Sequence, residues 1–149
     1  MTERFETFTV MIAKISRNIR KIKAEEMAEY NLKSTHVSCL YYLYKEESLT
    51  AKGICDRCEE DKAAISRAID YLEKNEYLEC EKLNGKRYKS HLTLTEKGKK
   101  IGEKISIKID RILEQVSVGL TEDERGDFYK SLSIINDSLD ALANRSEVK

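Results

Sequence analysis

The chain of 149 residues contains no proline, no tryptophan and only six glycines. So few helix breakers exclude a turn-rich all-β fold and favour long helices. Long apolar runs are missing too: no stretch of about 18 apolar residues occurs, so no segment is expected to span a membrane. The opening residues MTERFETF have no apolar stretch behind basic residues and do not read as a secretory signal. Cysteine is sparse, with four residues, expected as reduced thiols rather than a disulfide framework. Net charge is absent, 27 basic residues standing against 27 acidic ones. No Ser/His/Asp set, paired carboxylates or glycine-rich phosphate loop is visible, which leaves catalysis without a foothold. The expectation is a soluble, cytoplasmic, mainly α-helical protein that is not an enzyme and carries no cofactor and no metal.

What is present is periodicity. Hydrophobic residues make up 40% and charged residues 36% of the chain, enough for one core and a solvated exterior. Phe5, Phe8, Ile12, Ile15, Ile19 and Ile22 recur at spacings of three and four, which predicts a long leading helix with one apolar stripe. Asn31 to Thr35 interrupts it, with Ser34 or Thr35 as the next N-cap. His36 to Glu47 follows, apolar nearly all round and therefore expected at the centre of the molecule.

Thr50 then caps a short helix carrying Ala51, Ile54, Cys55 and Cys58 on one side. Asp61 caps a second helix, Lys62 to Asn75, with Ile65, Ala68, Ile69 and Leu72 inward. Two short amphipathic helices separated by a few polar residues form a helix-turn-helix pattern. Beyond it, Glu76–Lys82 and His91–Leu94 read as strands, with Leu78 and Cys80 on one inner face and Leu92 and Leu94 on another. Asn84-Gly85 between them is a hairpin-turn signal. Thr95 caps a helix through Val118, halted at Gly119, with Ile101, Ile105, Ile109, Ile112 and Val116 in register. Thr121 with Glu124 forms a capping box for a last helix carrying Phe128, Leu132, Ile135, Leu139 and Leu142.

Charge is uneven despite the zero sum. Lys82, Lys86, Arg87, Lys89, Lys97, Lys99 and Lys100 face Glu96 alone between positions 82 and 100, which points to a polyanionic partner. A helix about 12 Å across fits the major groove of B-DNA. The expected contacts to double-stranded DNA are Lys62, Ala63, Ser66 and Arg67 on the second helix, with Ser66 and Arg67 nearest the bases. Lys86, Arg87 and Lys89 on the hairpin serve phosphates or the minor groove. The apolar stripes of the flanking helices exceed what so small a core needs, so they are expected to bury against a second copy. The residues concerned are Phe5, Phe8, Ile12 and Ile15, then Ile109, Ile112 and Val116, then Phe128, Leu132, Ile135 and Leu139. Such a twofold dimer would read a pseudo-palindrome.

Leu49-Thr50, the run Asp61-Lys62-Ala63-Ala64-Ile65-Ser66-Arg67, Leu72-Glu73-Lys74 and above all Leu94-Thr95-Glu96-Lys97-Gly98 behind a basic hairpin resemble the MarR family of transcriptional regulators. The resemblance covers nearly the whole chain. It implies a single MarR-like domain over 1–149, mainly α with a small β-hairpin wing. A winged helix-turn-helix over 34–98 would be flanked by N- and C-terminal dimerisation helices at 1–30 and 100–145. It further implies a homodimeric regulator, a repressor, released by a small phenolic or other aromatic effector, an oxidant or a metal. The wing departs from the family's usual Asp-x-Arg, reading Gly85-Lys86-Arg87-Tyr88, and Glu59 and Glu60 stand in the turn where the family has a glycine.

Three other readings compete. The acidic turn would suit a winged helix that docks on protein rather than DNA. Cys55-x-x-Cys58 invites a redox or zinc role, but both fall on the apolar side, the βαβ setting of a thioredoxin-like site is absent and zinc lacks further ligands. A thiol-based redox-sensing regulator through Cys39 or Cys55 is the form this takes. His36, Cys39, Tyr41 and Tyr44 are candidates to line an effector pocket, since buried tyrosine hydroxyls need partners. Core packing and capping are the competing roles for those four.

Overall fold

The computed structural model describes residues 2–58, 60–81 and 90–145, with the side chains of all of these except residues 2, 3 and 5. The predicted hairpin turn at Asn84-Gly85 and the side chain of Phe5 lie outside the described residues. The elements run α1 (Thr2–Glu26), a 3-10 turn (Ala28–Tyr30), α2 (Ser34–Glu46), β1 (Leu49–Thr50), α3 (Ala51–Arg57), α4 (Lys62–Lys74), β2 (Leu78–Cys80), β3 (His91–Leu94), α5 (Glu96–Val116) and α6 (Glu122–Ala143). The chain divides into two compact units, Met1–Lys108 and Ile109–Lys149.

In the first unit α2 is the centre, packing on α1, α3, α4, β1 and β3. Leu40, Leu43, Ile54, Ile65, Ile69, Leu72, Leu78, Leu92 and Ile105 are fully buried around it. These are the inward positions that the helical and strand periods mark, and each is worth about 1.5–3 kcal/mol relative to exposure. The helix-turn-helix therefore hangs on a shared hydrophobic floor rather than on its own short helices.

Three local details differ from the sequence reading. First, α2 starts at Ser34, and neither Ser34 nor Thr35 caps it. The backbone N–H of Lys33 instead donates to Nδ1 of His36 at 2.9 Å, so the cap comes from inside the first turn. Second, the sheet has a third strand. The antiparallel order is β1-β3-β2, with Leu49 opposite Leu92 and Leu78 opposite Leu94. Third, α5 ends at Val116 rather than Val118, closing in a turn in which the Leu120 N–H reaches the Ser117 carbonyl. Between α2 and β1, Glu47 sits at φ 63° while the Ser48 N–H donates to the Glu46 carbonyl at 2.6 Å, a γ-turn that reverses the chain in one residue.

The second unit holds the end of α5 and all of α6. The capping box forms as predicted: the Glu124 N–H donates to Thr121 Oγ1 at 3.1 Å, and the Thr121 N–H to Glu124 Oε2 at 2.8 Å. No residue of α6 is buried.

Candidate nucleic-acid interface

Two short side chains set the helix-turn-helix. Thr50 Oγ1 accepts from the Gly53 N–H at 3.0 Å to start α3. Asp61 Oδ1 accepts from the Ala64 N–H at 2.7 Å to start α4. Each answers one of the orphan donors at a helix N-terminus. The four apolar positions of α4, Ile65, Ala68, Ile69 and Leu72, are buried. Lys62, Ala63, Ser66, Arg67 and Asp70 are exposed on the opposite side. Small side chains at Ala63 and Ser66 leave the first turn of α4 free to approach another surface closely.

The far end of α4 is anchored by residues that charge counting misassigns. Lys97 falls within the basic stretch, yet its Nζ donates to the Asn75 carbonyl at 2.9 Å and lies 4.2 Å from the centre of the Tyr77 ring. Lys97 thus caps the C-terminal end of α4, where the helix dipole favours a cation. Thr95 is equally occupied: its hydroxyl donates to the Glu76 carbonyl at 2.6 Å and accepts from the Gly98 N–H at 3.1 Å. Lys99 pairs with Glu96 at 3.6 Å on the surface, an interaction of little energetic weight. Lys100 is exposed. Lys82, Lys86, Arg87 and Lys89 lie outside the described residues.

Gly98 explains the last letter of the Leu94–Gly98 motif. A Cβ there would stand 1.9 Å from the Tyr77 carbonyl oxygen and 3.2 Å from a Leu94 methyl. Only glycine lets α5 start against that backbone, and so places the base of the wing beside the end of α4.

The four effector candidates do not converge. At 100° per residue, His36, Tyr44, Tyr41 and Cys39 spread over more than half the circumference of α2. His36 and Cys39 are buried, while Tyr41 and Tyr44 are half-buried. His36 stacks on Tyr71 of α4 with ring centres 4.3 Å apart and planes 13° from parallel. Tyr41 meets Tyr42 edge-on at 5.3 Å. Tyr44 lies against Gly102 of α5, where a Cβ would come within 2.8 Å of it.

Cys39 is buried and Cys55 and Cys58 half-buried. Cys80, expected on the inner strand face, is only half-buried because β2 ends there. Burial pushes the Cys39 thiol far above the usual range, with Cys58, Cys55 and Glu60 adding to the shift. A raised pKa leaves almost no thiolate near neutrality, and the thiolate is the nucleophile. Three thiols should therefore react with a disulfide reagent in the native protein, and Cys39 only after unfolding. Four fast thiols would contradict this. Among the described residues no group of three or more His, Cys, Asp or Glu could hold a metal ion, and no helix is long and apolar enough to cross a membrane.

A family model described as a winged helix DNA-binding domain matches residues 35–113. No curated protein sequence matches the chain significantly. Among solved structures the chain is similar to a MarR family regulator from Neisseria meningitidis, at 20% identity and a TM-score of 0.81, over 98% of this chain and 99% of that one. It is similar to a MarR family transcriptional regulator from Listeria monocytogenes complexed with 26mer DNA, at 22% identity and a TM-score of 0.82, over 93% of each. It is also similar to MarR of Staphylococcus aureus in complex with salicylate and kanamycin, at 18% identity and a TM-score of 0.77, over 92% and 93%. More than half of its length lies within the matching model, so the chain belongs to the winged helix DNA-binding domain family, and its fold is that of the MarR family regulators.

Proposed function

We propose that this protein is a homodimeric, sequence-specific DNA-binding transcriptional regulator, a repressor, that lays α4 into the major groove of a pseudo-palindromic operator. The observation that carries the reading is α4 itself. Its inner face is locked into the core, and its outer face presents Lys62, Ala63, Ser66 and Arg67 to solvent. In this reading Ser66 and Arg67 address base edges and Lys62 addresses phosphate, joined by Lys86, Arg87 and Lys89 from the wing. The similarity to the Listeria protein, which is complexed with 26mer DNA, supports the same assignment.

Exposed apolar residues support the dimer. On α1 they are Phe8, Ile12, Ile15 and Ile19; on α6 they are Phe128, Ile135, Leu139 and Leu142. Leu132 is half-buried and in register with the latter set, and Ile109 and Ile112 are half-buried at the end of α5, where Val116 is 71% exposed. So much apolar surface on three helices is what a second copy would cover. If a small aromatic effector acts here, as salicylate is bound by the Staphylococcus protein, Tyr41 and Tyr44 are the side chains with free surface to meet it.

Selection of bound duplexes from a random pool tests the reading. The expected product is a pair of inverted half-sites with centres one helical turn, about 10 base pairs, or a multiple of it apart. Arg67→Ala should cost about 1–3 kcal/mol at the selected site and relax preference at one position per half-site. Arg87→Ala should weaken all duplexes alike and lower the salt slope by about 1 for each phosphate no longer neutralised. Identical losses on every sequence for both variants would refute the division of roles, and a pool that yields no enriched site would refute sequence-specific binding.

A further inference from the structure

Resting on the DNA-binding reading, we propose that His36 is a proton-operated clamp on α4: neutral, it locks the turn between α1 and α2 to the DNA-reading helix, and protonated, it lets go. Two hydrogen bonds and one ring stack build the clamp. Nδ1 of His36 accepts the Lys33 N–H at 2.9 Å, which an imidazolium cannot do because both its nitrogens are donors. The ring lies flat on Tyr71 of α4. The Tyr71 hydroxyl in turn donates to the Asn31 carbonyl at 2.8 Å, and Asn31 is the left-handed residue, φ 57°, at which the chain turns toward α2. Lys33, His36, Tyr71 and Asn31 thus close a ring of interactions from the α1–α2 turn to the last turns of α4.

The surroundings favour release on protonation. His36 is only 8% exposed and sits in the first turn of α2, where the helix dipole disfavours a cation. From its own turn it faces Lys33; from α4 it faces the neutral Tyr71 phenol. Burial lowers the His36 pKa from its ordinary value, and the Lys33 charge lowers it further. Both causes act in the same direction. A histidine held neutral in the fold and free to protonate when unfolded or released makes the clamped state strongest above the ordinary histidine range. The clamp weakens as pH falls below that range.

The chain has two histidines, so the test separates cleanly. His36→Gln keeps an acceptor for the Lys33 N–H, as glutamine does at the third position of a capping box, and does not titrate. A duplex selected near neutral pH should bind wild type roughly five- to tenfold more weakly at about pH 5.5 than at about pH 7.5. His36→Gln should show no such loss, and His91→Gln should behave as wild type. Amide protection, taken relative to the intrinsic exchange rate at each pH, should fall at the lower pH in residues 28–33 and the last turns of α4, in wild type but not in His36→Gln. Equal pH responses in wild type and His36→Gln overturn the clamp, as does a His36 ring proton that titrates in wild type at or above the ordinary histidine range. The exchange and ring titrations need no DNA. A protein that selects no duplex thus fails the DNA-binding reading alone, while those two measurements still decide whether the clamp exists.

Discussion

Gly98→Ala is expected to lower the melting temperature by roughly 10–15 °C, read by far-ultraviolet circular dichroism. The added methyl would collide with a backbone oxygen, 1.9 Å away on Tyr77, not with the end of a side chain that can swing aside. That same oxygen accepts the Thr95 N–H at 3.1 Å. Moving it disturbs the Thr95–Glu76, Gly98–Thr95 and Lys97–Asn75 bonds together. Overpacking costs about 1–3 kcal/mol, and each strained hydrogen bond adds about 1 kcal/mol. A total of about 4 kcal/mol at about 2–4 °C per kcal/mol for a chain of this size gives the stated shift. Gly126→Ala is the control. It lies inside α6 with nothing within 4 Å of an added Cβ, and should stabilise its helix by about 0.5–1 kcal/mol. If Gly98→Ala melts with wild type, the close approach of α5 to Tyr77 is not real.

Leu139→Glu should turn a dimer into single subunits and reduce affinity for a selected operator by about two orders of magnitude or more. Leu139 is 50% exposed on a helix with no buried residue, so the isolated chain loses little when it becomes charged. Only a covering copy makes the substitution costly. An unpaired carboxylate in an apolar interface costs several kcal/mol, and twofold symmetry places it there twice. Each kcal/mol lost raises the dissociation constant, about 1.4 kcal/mol per tenfold. Single subunits would then meet one half-site at a time and lose the linkage between two. Sedimentation and gel shift read the two effects. Ile15→Glu on α1, 45% exposed, should do the same. A Leu139→Glu protein that stays dimeric at micromolar concentration, or a wild type that was never dimeric, removes the twofold arrangement from the proposal.

The helix-turn-helix was legible because its signals are local. Thr50, Asp61 and Thr121 are short acceptor side chains in front of apolar repeats, and all three cap as expected. Ile65, Ala68, Ile69 and Leu72 mark one side of α4 by spacing alone. What escaped depends on partners distant in sequence. Leu49–Thr50 is too short to show alternation and becomes a strand only through pairing with β3. The role of His36 as a cap needs the Lys33 N–H turned back onto it and the Tyr71 ring against it. Counting cations could not separate Lys97, engaged with Asn75 and Tyr77, from Lys100 at the surface. The four residues grouped as an effector pocket share a helix but not a side of it, which a tally of polar and aromatic positions does not reveal.

Thr50 holds two offices at once. It is the last residue of β1, paired with His91, and its hydroxyl begins α3. No spacer therefore lies between the sheet and the front of the helix-turn-helix. Any displacement of β3 at its Thr50 partner therefore meets the start of α3 within one peptide unit, with no flexible joint between the wing's base and the α3–α4 pair.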